Sequence, residues 1–549
     1  MRWHGGIVAL LGLCAAAVAA ERPNILLIMT DDMGIGQFAP MAEELAESDF
    51  DPKFVDYVQG LKKGKAYSGA DALEAARKAM PTMSKLAEHG LVFERGFSSS
   101  SLCNPSRVGL ASAMHPNRFG IYRNHDVVGV DEIVLPPERI LMPHFKQAGY
   151  ATAHIGKWHL SGHDKKMEAQ LREKYRTFKG DKKQLNRLME EAGFTGSVPD
   201  ELHPLNNGFD YYYGYNYHQS RFIDAYNVWD GFKHAGRQTA YNTETFTGKA
   251  LGFIDSARKQ RKPFFINLHL HAMHGPLLPN PPEKYMEPFA DAPELLKNFY
   301  GHLYAVDEGI RLIMEKLKAN GQLRNTVIIF TSDNGGSVSD MSTLPGNAPH
   351  RGQKGQYTLG GVRVPLMIFW PERIQKGRRT QELASLLDLM PTAMDAAGIP
   401  VPDGLDGRSL LPLIDGAAKG PHDQLVWFGL HSRLWGFEKF MTHYSGNGQQ
   451  GQLKEREPGA CLVVSDDWAL RFTGELQSQV YTDFPDGHAA GIELYSMKND
   501  LGEKNNVASQ YPEVVEQLKT KAARFGRDLP APNIWEKSRW EELIHGVQP

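Results

Sequence analysis

Residues 24–32 read Asn-Ile-Leu-Leu-Ile-Met-Thr-Asp-Asp (NILLIMTDD), and this stretch decides the fold. An apolar run without alternation is what a strand buried on both faces requires, and such strands belong to parallel sheets covered by helices. The run stops at Asp31 and Asp32, beyond the carboxyl end of the strand, where open α/β sheets bind their ligands. Three further apolar runs end in the same way. Residues 150–155 lead to Gly156, Lys157, Trp158 and His159, residues 263–268 (PFFINL) to His269, His271 and His274, and residues 326–330 (TVIIF) to Ser332, Asp333 and Asn334. Four such endings predict one crevice.

Helical patterns at 81–89, 142–148, 243–257, 292–319 and 382–397 separate these strands, with further strands at 91–97 and 364–370. The expected fold is α/β, a large mixed, mostly parallel sheet sandwiched by helices, followed by a smaller C-terminal α+β domain. Residues 1–20 read as a secretory signal: Arg2, an apolar run at 7–19 and the small residues Ala17-Val18-Ala19-Ala20. The run is short for a membrane span, so the expectation is an exported chain, periplasmic or secreted, without stable membrane insertion. Residues 21–415 then form the catalytic domain, with an insertion at 41–79 read as two helices near the site mouth. The Gly-, Pro- and Asp-rich stretch 398–420 marks the boundary, and 416–549 the C-terminal part, with strands at 425–429, 468–472 and 492–495 and a helix at 512–525. Residues 165–191 read as a charged, solvated helical element. The Tyr- and Asn-rich stretch 206–217 reads as a loop or sheet edge that either contacts a sugar or packs. A formal net charge of −3 gives no footing for nucleic acid, and nothing in the sequence sets an oligomeric state.

Residues 98–116 (SSSSLCNPSRVGLASAMHP) place Cys103 just ahead of a helix, with Pro105 in its first turn and Arg107 one turn in. A nucleophile at Cys103 would face the free N–H groups of the helix start and a fixed cationic fork; the other reading is a buried structural cysteine. Cys461 is the one other cysteine beyond the leader, and in an exported chain a disulfide between the two is the default expectation. Asp31, Asp32, Asp333 and Asn334 form an oxygen-only set whose charges a hard divalent cation, Ca²⁺ or Mg²⁺, would neutralise. His274 stands past its strand end, where an acid or base belongs, and His159 shares a side with Lys157. His269 and His271 either line the pocket or fill the core.

These residues together resemble the formylglycine-dependent sulfatases, arylsulfatase-like members of the alkaline phosphatase superfamily. Cys103-Asn104-Pro105-Ser106-Arg107 resembles the family's C-x-P-S-R signature, and Gly149-Tyr150-Ala151-Thr152 with Gly156-Lys157-Trp158-His159 its second signature. The stretch from Pro23 to Asp32 and the run Thr331-Ser332-Asp333-Asn334-Gly335 resemble its metal strands, and His350-Arg351-Gly352-Gln353-Lys354-Gly355 its lysine loop. Two departures stand out: Ala111-Ser112-Ala113-Met114 replaces a Thr-Gly-Arg-like run, and Met33 to Gln37 replaces the usual loop after Asp32. The resemblance implies an alkaline-phosphatase-like fold and a Cys103 oxidised to formylglycine by a formylglycine-generating maturation enzyme. It implies Ca²⁺, with Mg²⁺ second, held by Asp31, Asp32, the modified Cys103, Asp333 and Asn334. Asp333 and the metal would activate the hydrate, Arg107, Lys157 and Lys354 would stabilise sulfuryl oxygens, His274 would protonate the leaving alcohol, and His159 would regenerate the aldehyde. The substrate would be a carbohydrate sulfate monoester, with His218, Arg221, His269, His271, His350 and Arg351 as outer-pocket candidates. The alternatives are a phosphate or phosphonate ester hydrolase using the same cleft, and a non-catalytic binder of sulfated glycans.

Overall fold

The computed structural model describes residues 22–50, 52, 55–56, 67–122, 124, 135–337, 343–430, 459–473, 492–526 and 529–530; the leader read at 1–20 lies outside them. A ten-stranded sheet forms the centre. Its strands are β1 (Asn24–Thr30), β2 (Leu91–Phe93), β3 (Ala151–Lys157), β4 (Tyr211–Tyr215), β5 (Trp229–Asp230), β6 (Lys233–His234), β7 (Phe264–His269), β8 (Thr326–Ser332), β9 (Leu366–Phe369) and β10 (Arg378–Thr380). Their order across the sheet is β10-β2-β9-β8-β1-β7-β3-β4-β5-β6. The middle five, β8 to β4, are mutually parallel, while β9 and the β5–β6 hairpin run antiparallel to their neighbours. The sheet is thus mixed and mostly parallel, as expected.

The lack of alternation in β1 has a direct cause. Leu26 and Ile28 enter one buried apolar cluster, while Ile25, Leu27 and Met29 enter the other on the opposite face. β8 divides in the same way, with Ile328 and Phe330 on one side and Val327 and Ile329 on the other. Helices cover both faces: α1 (Gly69–Lys78), α5 (Asn242–Lys259) and α6 (Glu294–Ala319) on the first, α2 (Cys103–Ser112) on the second. Between α2 and α5 in sequence come the charged helices α3 (Lys165–Lys174) and α4 (Lys182–Glu191). Each face buries side chains contributing roughly 1.5–3 kcal/mol apiece.

Beyond 415 a four-stranded antiparallel sheet follows, in the order β11 (Gln424–Leu430), β12 (Gly459–Ser465), β13 (Trp468–Thr473), β14 (Ile492–Ser496), with helix α7 (Pro512–Gly526). It packs on the large sheet's domain through Trp427, Leu462 and Tyr495 against Phe97, Tyr357 and Leu383.

Two readings need correction. Residues 382–397 are not one helix: Ala384–Ser385 pairs with Gly96–Phe97, Leu386–Asp388 is a 3₁₀ turn, and the helix starts at Leu389. The side chain of Ser385 accepts from the Leu387 N–H and its own N–H donates to Asp388, so the cap lies inside the expected helix. In 206–217, read as a loop or sheet edge, Tyr211, Tyr212, Tyr213 and Tyr215 lie in β4, an interior strand with the last three buried, and Tyr217 follows it. Of the stretch 41–79 read as an insertion, residues 51, 53–54 and 57–66 lie outside the described residues; the rest includes α1 and packs Leu45, Phe50, Tyr67 and Leu73 into the first apolar cluster.

Candidate active site

The carboxyl ends of β1, β3 and β8 bring Asp31, Asp32, Lys157, Asp333 and Asn334 together, and all five are buried. Helix α2 enters from above with Cys103 as its first residue, and its Sγ lies 3.8 Å from Asp31 Oδ1 and 4.0 Å from Asp32 Oδ1. One turn on, Arg107 donates to Asp333 Oδ2 through Nε (3.0 Å) and Nη2 (2.8 Å), with Nη2 also 3.4 Å from Asp31. Its Nη1 donates to the Lys157 carbonyl at 3.0 Å. Lys157 Nζ donates to Asp31 Oδ2 at 2.7 Å, and Lys354 Nζ lies 2.7 Å from the Asp32 carboxylate. His274 Nε2 is 3.8 Å from Asp32 Oδ2, while its Nδ1 lies 2.7 Å from the Gly275 carbonyl. The Asn104 amide donates to the His159 carbonyl at 2.8 Å, which ties His159 to the residue after Cys103.

Two residues here, Asp32 (φ 60°) and His159 (φ 51°), adopt left-handed backbone conformations. Such positions cost about 1–3 kcal/mol for non-glycine residues and collect where function requires them.

The electrostatics follow from burial and pairing. Burial alone would raise the Asp31 carboxyl, but Lys157, His274, Arg107 and Lys354 outweigh it and hold it well below its ordinary value. Burial and the charge of Asp31 push Asp333 up, against Arg107. Burial opposes the Lys354 ammonium, yet Asp32 holds it above its usual range. Burial pushes the Cys103 thiol up to about 12. A thiol held protonated in this way is a poor nucleophile at neutral pH.

Three carboxylates thus already face three cations, so the repulsion expected of Asp31, Asp32 and Asp333 is met by Arg107, Lys157 and Lys354. The case for a metal rests instead on one unpaired oxygen and on the set of donors around it. Asn334 Oδ1 is buried without a hydrogen-bond partner, and its Nδ2 donates to Asp32 Oδ1 at 2.8 Å. Asp31, Asp32, Cys103 and His274 each place a ligand atom within 4.8 Å of the others. The carboxylate and amide oxygens suit a hard divalent cation, and a dication would leave the centre at a formal +2, a field for an anionic ester.

The outer-pocket candidates divide. His218 borders the centre: its carbonyl accepts from Lys157 Nζ at 2.6 Å and its ring lies 6.2 Å from that of His274. Arg221 lines a neighbouring cleft. The others do not line the site. His269 lies beneath Arg107, with Nδ1 3.2 Å from Nη1, and His271 is tied to the Tyr215 hydroxyl at 2.9 Å. His350 contacts Arg363 and the Leu501 carbonyl, and Arg351 pairs with Glu493 and Glu503, fastening the lysine loop to the C-terminal sheet. Cys103 and Cys461 are both free, so the disulfide expectation fails.

Comparison with known proteins agrees with this centre. The family model described as Sulfatase matches residues 23–399, and the one described as N-sulphoglucosamine sulphohydrolase, C-terminal, matches 357–445. The chain is 32% identical over 520 residues to the uncharacterized sulfatase YdeN of Escherichia coli (strain K12), covering 92% of this chain and 85% of that protein. It is 26% identical to the N-acetylgalactosamine-6-sulfatase of Mus musculus, over 74% of this chain and 68% of that one. Its fold superposes with a TM-score of 0.68 on Ps i-CgsB in complex with k-i-k-neocarrahexaose, at 22% identity, covering 96% and 98% of the two chains. A sulfatase match from the first metal strand past the lysine loop, around a centre of this composition, shows that the chain belongs to the sulfatase family of the alkaline phosphatase superfamily and is a sulfuric ester hydrolase.

Proposed function

We propose that the protein releases sulfate from carbohydrate monoesters, using a formylglycine made from Cys103 and a Ca²⁺ ion. The observation that carries this reading is the setting of Cys103. Its thiol, pushed up to about 12 by burial, is no nucleophile as it stands, yet it faces two carboxylates at a helix start, 3.8 and 4.0 Å away. When in place, the aldehyde hydrate at position 103 supplies the attacking oxygen and the cation its Lewis-acid charge. Asp31, Asp32, Asp333 and Asn334 hold the cation. Lys157 and Lys354 supply positive charge where the sulfuryl oxygens gather, and Arg107 fixes Asp333 and the helix start. His274, oriented through its Nδ1 contact with the Gly275 carbonyl, is held neutral in the free centre by burial and Lys354; it takes up a proton on Nε2 once the ester's negative charge favours it, and passes that proton to the leaving alcohol. His159 takes the proton that restores the aldehyde. A carbohydrate substrate is supported by two relatives, the N-acetylgalactosamine-6-sulfatase and the carrahexaose-bound Ps i-CgsB. The same reading has the chain exported through the 1–20 leader and divided into 21–415 and 416–549.

The test is mass spectrometry of the peptide ending at Arg107, combined with parallel assays on aryl sulfate and aryl phosphate before and after chelation. Conversion of CH₂–SH to CHO, preference for the sulfate, and recovery with Ca²⁺ above Mg²⁺ are expected. Fully active protein with an intact thiol would overturn the formylglycine, and faster phosphate turnover would favour the phosphate ester reading.

A further inference from the structure

The reactive centre accounts for the ends of β1, β3 and β8 but not for the helix pair α3–α4. Each of these helices has 10 residues and buries one, Leu171 in α3 and Met189 in α4. So little apolar contact leaves most of both helices outside the core. Between them and the segment 217–227 lies a cleft of about 800 Å³. Four cations, Arg172, Lys183, Arg187 and Arg221, line it against two carboxylates, Glu190 and Glu191. Among the described residues the arginines pair only near the surface, Arg172 with Glu168, Arg187 with Glu191 at 3.0 Å and Arg221 with Glu190 at 3.6 Å, and Lys183 has no ion pair. Such pairs contribute little and are readily exchanged for a ligand's charge.

The cleft also has an aromatic lining. Phe194, Tyr217 and Tyr226 contribute rings, and the His163 ring lies 4.9 Å from Phe194 and 5.1 Å from Tyr217. Ring faces beside cationic forks are what an anionic sugar meets well: its C–H face stacks while its charged groups take Arg and Lys. The walls are held in place. The buried Asn216 amide donates to the carbonyls of Gly162 (2.9 Å) and Ser197 (3.0 Å), and Asn227 accepts from Ser220 (2.7 Å) and donates to the Gln219 carbonyl (3.0 Å). A prearranged site spends little on ordering when it binds.

One stretch of chain links the wall of the cleft to the edge of the reactive centre. Tyr217 packs 3.9 Å from His218, whose carbonyl receives the Lys157 ammonium and whose ring approaches His274. His274 marks the side on which the alcohol leaves.

We infer that this cleft is an outer subsite for the sugars attached to the leaving alcohol, so that the substrate is an anionic oligosaccharide rather than a lone sulfated monosaccharide. This rests on the proposed carbohydrate sulfatase activity. The test uses the full-length mature protein, wild type and Lys183→Ala/Arg187→Ala, on aryl sulfate and on size-defined mono-, di- and hexasaccharides from carrageenan and chondroitin sulfate. For the wild type, kcat/KM should rise from mono- to hexasaccharide in at least one series, and the rise should fade with added salt. In the variant the ratio of hexasaccharide to aryl sulfate kcat/KM should fall roughly 2- to 30-fold, as the loss of two exposed ionic contacts implies. Both positions are on the helix surface, and an unchanged thermal midpoint checks folding. A wild type without length dependence, one that turns over none of the oligosaccharides, or a variant that keeps the full hexasaccharide advantage overturns the subsite. Failure on aryl sulfate itself would instead overturn the sulfatase mechanism proposed above.

Discussion

Cys103 and Cys461 are equally buried and equally free, yet their surroundings have nothing in common. Cys461 sits in β12 among Val426, Phe428, Val463 and Leu470, where burial alone pushes its thiol up. Around Cys103 burial acts against Lys157 and Lys354 and with Asp333 and Asp31. An interior made of side-chain carbons asks only to be filled, whereas an interior of carboxylates and ammonium groups is stable only while every charge has a partner. The first kind of burial serves the fold and the second serves chemistry. That contrast can be broken at either end.

The largest effect should come from Cys103→Ser, which removes the group that becomes the aldehyde: turnover of aryl sulfate should fall by about 10⁴-fold or more. Retained activity would return Cys103 to the structural class. Next, Lys354→Met should lower kcat/KM on the order of 10²–10³-fold by removing a fixed positive charge from the sulfuryl site. It also strands Asp32, so its thermal midpoint should drop more in chelator than in Ca²⁺; equal drops would argue against a metal beside Asp32.

Buried histidines outside the centre belong with Cys461. Burial lowers His302 and His154 to about 3 and His115 to about 4. Each is neutral when folded and takes a proton below about 6.5 when unfolded, so the unfolded state binds more protons and stability falls with pH from 6.5 toward 4. At pH 5 the loss amounts to about 2 kcal/mol per histidine. Denaturant midpoints at pH 7.5 and 5.0 should show it, and His302→Phe should flatten the slope by one proton; an unaltered slope would mean that His302 is not held neutral. The smallest effect belongs to Cys461→Ala, a loss of about 1–2 kcal/mol in stability with kcat/KM within about twofold of wild type. A large loss of activity there would erase the distinction between the two cysteines.

The central sheet and the reactive centre were legible because both rest on local facts. An apolar run without alternation means two covered faces, and a polar residue just past such a run lies at the ligand-binding edge. Where the reading failed, the deciding partner was remote in sequence. His269 and His271 do share a face, but that face carries Arg107 and Tyr215 and not open space. His350 and Arg351 stand four and three residues before Lys354, yet they turn toward Leu501, Glu493 and Glu503. The stretch 382–397 has helical periodicity, but Ala384–Ser385 finds a strand partner nearly three hundred residues earlier.

The amino-acid sequence by itself determined the α/β architecture, the convergence of Asp31, Asp32, Lys157, Asp333 and Asn334, and the place of Cys103 at a helix start. Those follow from side-chain hydrophobicity and from backbone geometry that each segment carries alone. Only the tertiary structure decided which charges are paired, that the two cysteines never meet, and that the helices of 165–191 wall a cleft whose lining residue Tyr217 adjoins His218 beside the reactive centre. Pair energies depend on distances of a few ångströms and on the water excluded around them, and no local pattern encodes either.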